Sequence, residues 1–252
     1  PLMRQGGDRT VEMLNWAQIR GVQVELGHID AALAANARIE AAASRLRSRL
    51  WDYLGVGANV LVATLDGRFD EVEAHVLRGL RGGGGQRFVE ALKLAFLAML
   101  RLHQGRLGEL LPIIDRLDTE FVELPLTRAV RALALAESGD LVGSRVALRD
   151  LVQGDCAHVV GTESWALALA LMADACADLD DAEVASVLAA RLAPRARYCI
   201  SLSNGVYCHG PVALALGKLA VTTRDWDEAE AHLALAREHA DALRSPLWRA
   251  GA

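Results

Sequence analysis

Apolar stretches long enough for helices alternate along the chain with short polar turns, and the turns share one signature. It reads LGHID at 26–30, DGRFDE at 66–71, QGRLGE at 104–109, SGDLVG at 138–143, ADLDDAE at 177–183 and TRDWDEAE at 223–230. With Gly27, Gly67, Gly105, Gly139, Ala177 and Arg224 set as equivalent, the intervals are 40, 38, 34, 38 and 47 residues. Those are helical-hairpin periods. A glycine tolerates the left-handed conformation that ends one helix, and an Asp or Glu two to four residues later favours the next helix start.

The last copy sets the phase. Leu216, Gly217, Ala220, Trp226, Ala229, Leu233 and Ala236 fall at the spacing of the small and large packing positions of a tetratricopeptide (TPR) hairpin. Small residues at Gly217 and Ala229 let two helices approach closely, and Trp226 is expected to pack as a knob. Ala98 with Leu110 and Ile114, and Ala170 with Ala182 and Ala189, repeat the alternation in degenerate form. The predicted fold is all-α: a right-handed superhelix of antiparallel helical hairpins, a TPR-like solenoid. It is expected as a single domain of five to six hairpins over 9–252, after a disordered start at 1–8.

Three stretches interrupt the period. RGGGGQ at 81–86 cannot sustain a helix and is expected to be a mobile connector. Residues 154–162 form a loop whose Thr162 is placed to cap the helix containing Trp165. Residues 194–211 are expected to be irregular and account for the longest interval.

Composition agrees with helices. Hydrophobic residues make up 52% of the 252 but aromatics only 5%, so the apolar content is mainly Ala, Leu and Val. The net charge of −5 is spread evenly: residues 1–126 carry 15 basic and 16 acidic side chains, residues 127–252 carry 12 and 16. Nothing there attracts a polyanion. Arg45, Arg47 and Arg49 are the densest basic cluster, yet Asp52 follows and no aromatics interleave, so no nucleic acid is expected on this segment. No apolar run approaches the ~20 residues that cross a bilayer, and the four cysteines lack CxxC spacing, so no membrane and a cytoplasmic location are expected. A start at Pro1 rather than Met suggests a piece of something longer.

Catalytic motifs are not evident: no Walker A, dinucleotide, HExxH, GxSxG or kinase set occurs. The glycines at 82–85 lack the strand before and the Lys-Ser/Thr after that phosphate binding needs. Cys199, Cys208 and His209 are soft-metal ligand types in one loop, but a structural zinc wants four ligands, so no metal and no cofactor are expected. Glu71 with His75, and Glu228 with His232, sit one helical turn apart and are expected to be surface pairs. No enzyme is expected.

In such an array the first helix of each hairpin lines the concave face. The phase then places Leu61 and Thr64, Met99, Leu102 and His103, Leu133 and Glu137, Leu171 and Asp174, and Lys218, Val221 and Thr222 in the groove. The alternative for these positions is ordinary interhelical core.

The segments at 51–73, 99–114, 124–140 and 210–233 resemble the C-terminal TPR-like region of large bacterial, especially actinobacterial, signalling ATPases of the STAND class: LuxR-type transcriptional regulators and their adenylate-cyclase-linked relatives. The resemblance implies a sensor arm that binds another protein, a peptide, other domains of the parent, or a small-molecule inducer. Nucleotide motif and output domain are lacking here, so no catalytic residue is implied. A stand-alone scaffold binding a partner in the groove is the alternative, and homo-oligomers are left open.

Overall fold

The computed structural model describes residues 2–44, 57–79, 87–116, 124–162, 164–202 and 204–252. The chain is mostly helical. Set beside the single domain expected over 9–252, the helices gather into two compact units, one of them assembled from three separate parts of the chain. The basic cluster Arg45, Arg47 and Arg49 and the glycines at 82–85 lie outside the described residues.

The first unit comprises Pro1–Lys93, Tyr198–Gly210 and Glu238–Gly251. It holds the hairpins α1 (Leu2–Glu25) with α2 (Ile29–Ala43) and α3 (Gly57–Leu65) with α4 (Phe69–Gly79), plus the start of α5 (Arg87–His103). Helix α1 begins at Leu2, inside the stretch expected to be disordered. Met13, Ala17, Ile39, Ala42 and Ala43 close the α1–α2 interface, with Trp16 at its edge. The stretch expected to be irregular at 194–211 instead contains a two-stranded sheet, β1 (Cys199–Leu202) and β2 (Tyr207–Pro211), and β1 packs on α1. Arg20, fully buried in α1, donates from Nε to the Asn204 carbonyl in the strand connection at 2.9 Å.

Chain-terminal segments complete this unit. The end of α13 (Trp226–Ala242) and the short α14 (Pro246–Gly251) belong to it, and α14 packs on α3. Ser245 Oγ donates to the Leu65 carbonyl at 2.6 Å, and Arg244 pairs with Asp30 at 2.5 Å. A strictly sequential array does not need such contacts between a chain-terminal segment and the first two hairpins.

The second unit comprises Leu94–Arg197 and Pro211–Arg237. Here α5 leads through a 3-10 turn (Leu107–Leu110) into α6 (Leu111–Ile114), followed by α7 (Pro125–Glu137), α8 (Leu141–Val152), α9 (Ala157–Val160), α10 (Trp165–Leu179), α11 (Ala182–Leu192) and α12 (Val212–Thr222). The first helices of three consecutive hairpins stack in chain order: α10 lies against both α7 and α12. Within the last hairpin, a Cβ built on Gly217 would stand 2.7 Å from Leu233 Cδ2, so the close approach expected at that glycine is present. Trp226, expected as a packing knob, instead opens α13 at 60% exposure. Ala182 is likewise exposed at the first turn of α11. Thr162 does not cap α10: its hydroxyl donates back to the Val159 carbonyl at 2.8 Å, and Ser164 holds the cap position.

The recurring turn is real and occurs once more than the sequence pattern indicated. Gly27, Gly67, Gly105 and Gly139 take φ of +75°, +73°, +64° and +85°. Asp180, Arg224 and Arg244 take the same left-handed place at +49°, +65° and +53°. At each, the next residue's N–H closes onto the carbonyl five residues back, from His28 to Gln23 through Ser245 to Ala240, at 2.8–3.3 Å. That 6→1 bond satisfies a carbonyl which the helix end leaves open. Asp180, not Ala177, is therefore the equivalent of the glycines in the fifth turn.

Candidate functional site

Three helices of the second unit bring charged side chains to one face. Glu137 ends α7, Asp174 and Asp178 lie one turn apart on α10, and Lys218 is on α12. The α7–α10–α12 stacking sets their spacing, because each sits on the first helix of its hairpin. Lys218 Nζ donates to Asp174 Oδ1 at 2.5 Å, with the lysine side chain 42% and the aspartate 19% exposed. Glu137 Oε2 accepts the Leu107 N–H at 3.0 Å, tying the end of α7 to the neighbouring 3-10 turn.

Electrostatics on this face favour extra positive charge. Partial burial of the carboxyl group, opposed by the Leu107 N–H and reinforced by Asp178 and Asp174, pushes Glu137 above the ordinary carboxylate range. Partial burial also raises Asp178, with Asp174 adding to the rise and Lys218 opposing it. Three carboxylates face a single ammonium, so the set is net negative when ionised. Both residues keep exposed surface, which leaves the carboxyl groups accessible from solvent. Among the described residues, no group of three or more His, Cys, Asp and Glu side chains is arranged to hold a metal ion. Thr222, the hydroxyl among the groove positions of this unit, donates to the Lys218 carbonyl at 3.0 Å and is 5% exposed.

The twelve groove positions separate by burial. Leu61, Thr64, Met99, Leu133, Leu171 and Thr222 are 0–5% exposed and belong to interhelical core. Leu61 and Thr64 lie in the first unit, and the Thr64 hydroxyl donates to the Val60 carbonyl at 2.7 Å. Leu102, His103, Glu137, Asp174, Lys218 and Val221 keep solvent-facing surface, all in the second unit. Of these, the structure brings Glu137, Asp174 and Lys218 together. Asp178 was missed because it sits inside the run assigned to the turn signature. Its position four residues after Asp174 was the available signal, since that spacing keeps a helical neighbour on the same face.

No family model, curated protein or solved structure matches the chain. No helix among the described residues is long and apolar enough to cross a membrane.

Elsewhere, His232 Nε2 lies 3.4 Å from Glu228 Oε2, as the helical spacing predicts. Glu71 accepts from Arg68. His209 is 8% exposed; its Nδ1 lies 3.1 Å from the Tyr207 hydroxyl, and its ring tilts against Trp248 with centroids 5.5 Å apart. All four cysteines are free and buried.

Proposed function

We propose that the chain is a non-catalytic, TPR-like binding arm of a multidomain bacterial regulator of the LuxR or STAND type, acting in the cytoplasm. In this reading the hairpins continue as a right-handed superhelix, and the face of α7, α10 and α12 receives a segment of another protein or of the parent regulator. The observation that carries it is the convergence of Glu137, Asp174, Asp178 and Lys218 from consecutive first helices onto one accessible face. Net negative charge there suits an occupant that presents a basic group, and such a contact weakens with salt. Binding shifts the parent's conformational equilibrium by the difference in affinity for its two states.

The test places Glu137→Lys and Asp178→Lys, singly and together, in the full-length gene product. Both positions are exposed, so circular dichroism should be unchanged. Loss of regulated output with an intact fold is expected. Regulation that survives the double charge reversal would overturn the reading. A partner protein that still co-purifies with the isolated arm, while regulation is unaffected, would favour the stand-alone scaffold instead.

A further inference from the structure

Helix α1 is apolar on two opposite faces. Met13, Ala17 and Val24 are fully buried and mark the face turned into the first unit. Nine residues make two and a half helical turns, so Val22 stands opposite Met13, and Leu26, whose N–H still bonds the Val22 carbonyl at 3.0 Å, stands opposite Ala17. Val11, Leu14, Ile19, Val22 and Leu26 are 39–56% exposed. They are five of the twelve large apolar side chains left exposed among the described residues, and all five lie along one side of one helix. Scattered apolar residues are ordinary on a surface, whereas a continuous stripe of them is not.

We propose that this stripe pairs two copies of the chain, α1 against α1, antiparallel about a two-fold axis beside Gln18 and Ile19. A two-fold interface has to be complementary to itself, and the pattern along α1 is. Antiparallel register sets Val11 against Leu26 of the partner subunit, Asn15 against Val22 of the partner subunit and Gln18 against Ile19 of the partner subunit. Each level therefore joins two apolar side chains or an apolar side chain and a neutral amide. The two Gln18 amides flank the axis, where each has donors and an acceptor to offer the other.

Charge supports a second copy over a charged partner. Between Val11 and Val22 no charged residue lies on the stripe, so it offers an acidic or basic occupant no counter-charge. Glu12 borders it on the Ile19 side and Glu25 on the Leu14 side, and like borders meet across an antiparallel pair, so the two glutamates are kept apart. Glu25 is further held by Ser201 Oγ, which donates to it at 3.0 Å. The stripe is ~22 Å long and one helix wide, less than the ~800 Å² per partner of a standard interface. The dimer is accordingly of the weak, concentration-dependent class. The stripe shares no residue with the charged face of the second unit, so the pairing is independent of what that face binds.

Sedimentation equilibrium of the full chain, from micromolar to millimolar concentration, should show the mass rising from 27.1 kDa toward twice that value. Val22→Asp and, separately, Val11→Asp should lose the dimer with far-UV circular dichroism unchanged, because both side chains are exposed. Val146→Asp, at an exposed apolar residue of α8, should leave association as it was. The native cysteines are buried, so oxidative crosslinks report introduced ones. Gln18→Cys should crosslink to itself, and Val11→Cys should crosslink to Leu26→Cys in a mixture but not to itself. A chain that is monomeric at every concentration overturns the proposal. So does a dimer that survives both aspartates, or one in which Val11→Cys crosslinks to itself. A monomer that instead takes up a helical segment of the full-length gene product, with uptake lost in Val22→Asp, assigns the stripe to that segment and overturns the pairing.

Discussion

Arg20 of α1 and Asn36 of α2 meet inside the first hairpin, with Nη1 2.5 Å from Oδ1 and both residues at most 1% exposed. Asn36 in turn donates from Nδ2 to Glu40 Oε1 at 2.8 Å, so an amide relays a buried guanidinium to a carboxylate nearer the surface. Removing one partner of a buried charge costs more than the pair contributes, because the remaining charge keeps its desolvation penalty. Asn36→Leu is therefore expected to destabilise the chain by about 2–4 kcal/mol, read as a lower urea midpoint. A change within experimental error would show that the guanidinium does not depend on Asn36.

Gly210, next to last in β2, takes φ +92°, and a Cβ there would stand 2.5 Å from the Trp248 ring. Two penalties therefore meet in Gly210→Ala: backbone strain at positive φ and overpacking against an indole. Together they are expected to cost about 2–4 kcal/mol. Trp248→Leu in the same chain should recover part of that loss by relieving the steric component, leaving the backbone component in place. Full additivity of the two substitutions, measured by thermal unfolding, would show that Trp248 is not what Gly210 accommodates.

Turns were legible in the sequence where glycine took the left-handed position, as at Gly27, Gly67, Gly105 and Gly139. Asp180, Arg224 and Arg244 accept the same conformation without that marker, so the fifth turn was misregistered by three residues and the last was overlooked. The β-hairpin was hidden because four residues of β1 are too few for a period-two pattern to stand out. Nothing in the spacing of α1 marks Arg20 as buried, since its partners are a strand connection and the next helix. At the candidate site, the helical phase found Glu137, Asp174 and Lys218, while buried Leu133 and Leu171 show that phase alone does not separate a groove from the core beneath it.

Asp181 is 4% exposed at its side chain and precedes α11. Its Oδ1 accepts the Val184 N–H at 3.4 Å, and its Oδ2 accepts from Arg145 at 2.7 Å and from Arg149 at 3.3 Å. The arginines are about half exposed, which weakens their share through solvent screening. Loss of the cap and of the enclosed ion pair in Asp181→Ala is expected to cost about 1–3 kcal/mol. Asp181→Asn, which keeps the cap but not the charge, should retain more than half of the lost stability at high salt. Equal destabilisation by both variants would assign the whole effect to the ion pair.

Glu137 gives the second unit a pH dependence whose sign follows from the upward displacement of its carboxyl group from the ordinary 4.5. A folded state that holds this proton more tightly than the unfolded chain gains stability as pH falls. The gain begins as pH drops through the raised native value and levels off below 4.5, where both states are protonated. At neutral pH the ionised group is therefore a liability, and Asp178 adds a second of the same sign above its ordinary 3.8. Glu137→Gln removes the charge while its side-chain carbonyl can still accept the Leu107 N–H. The urea midpoint of that variant should exceed that of the parent at pH 7, with the difference closing as pH approaches 4.5. A difference that is independent of pH, or a variant less stable at pH 7, would show that carboxylate repulsion and burial do not govern this end of α7.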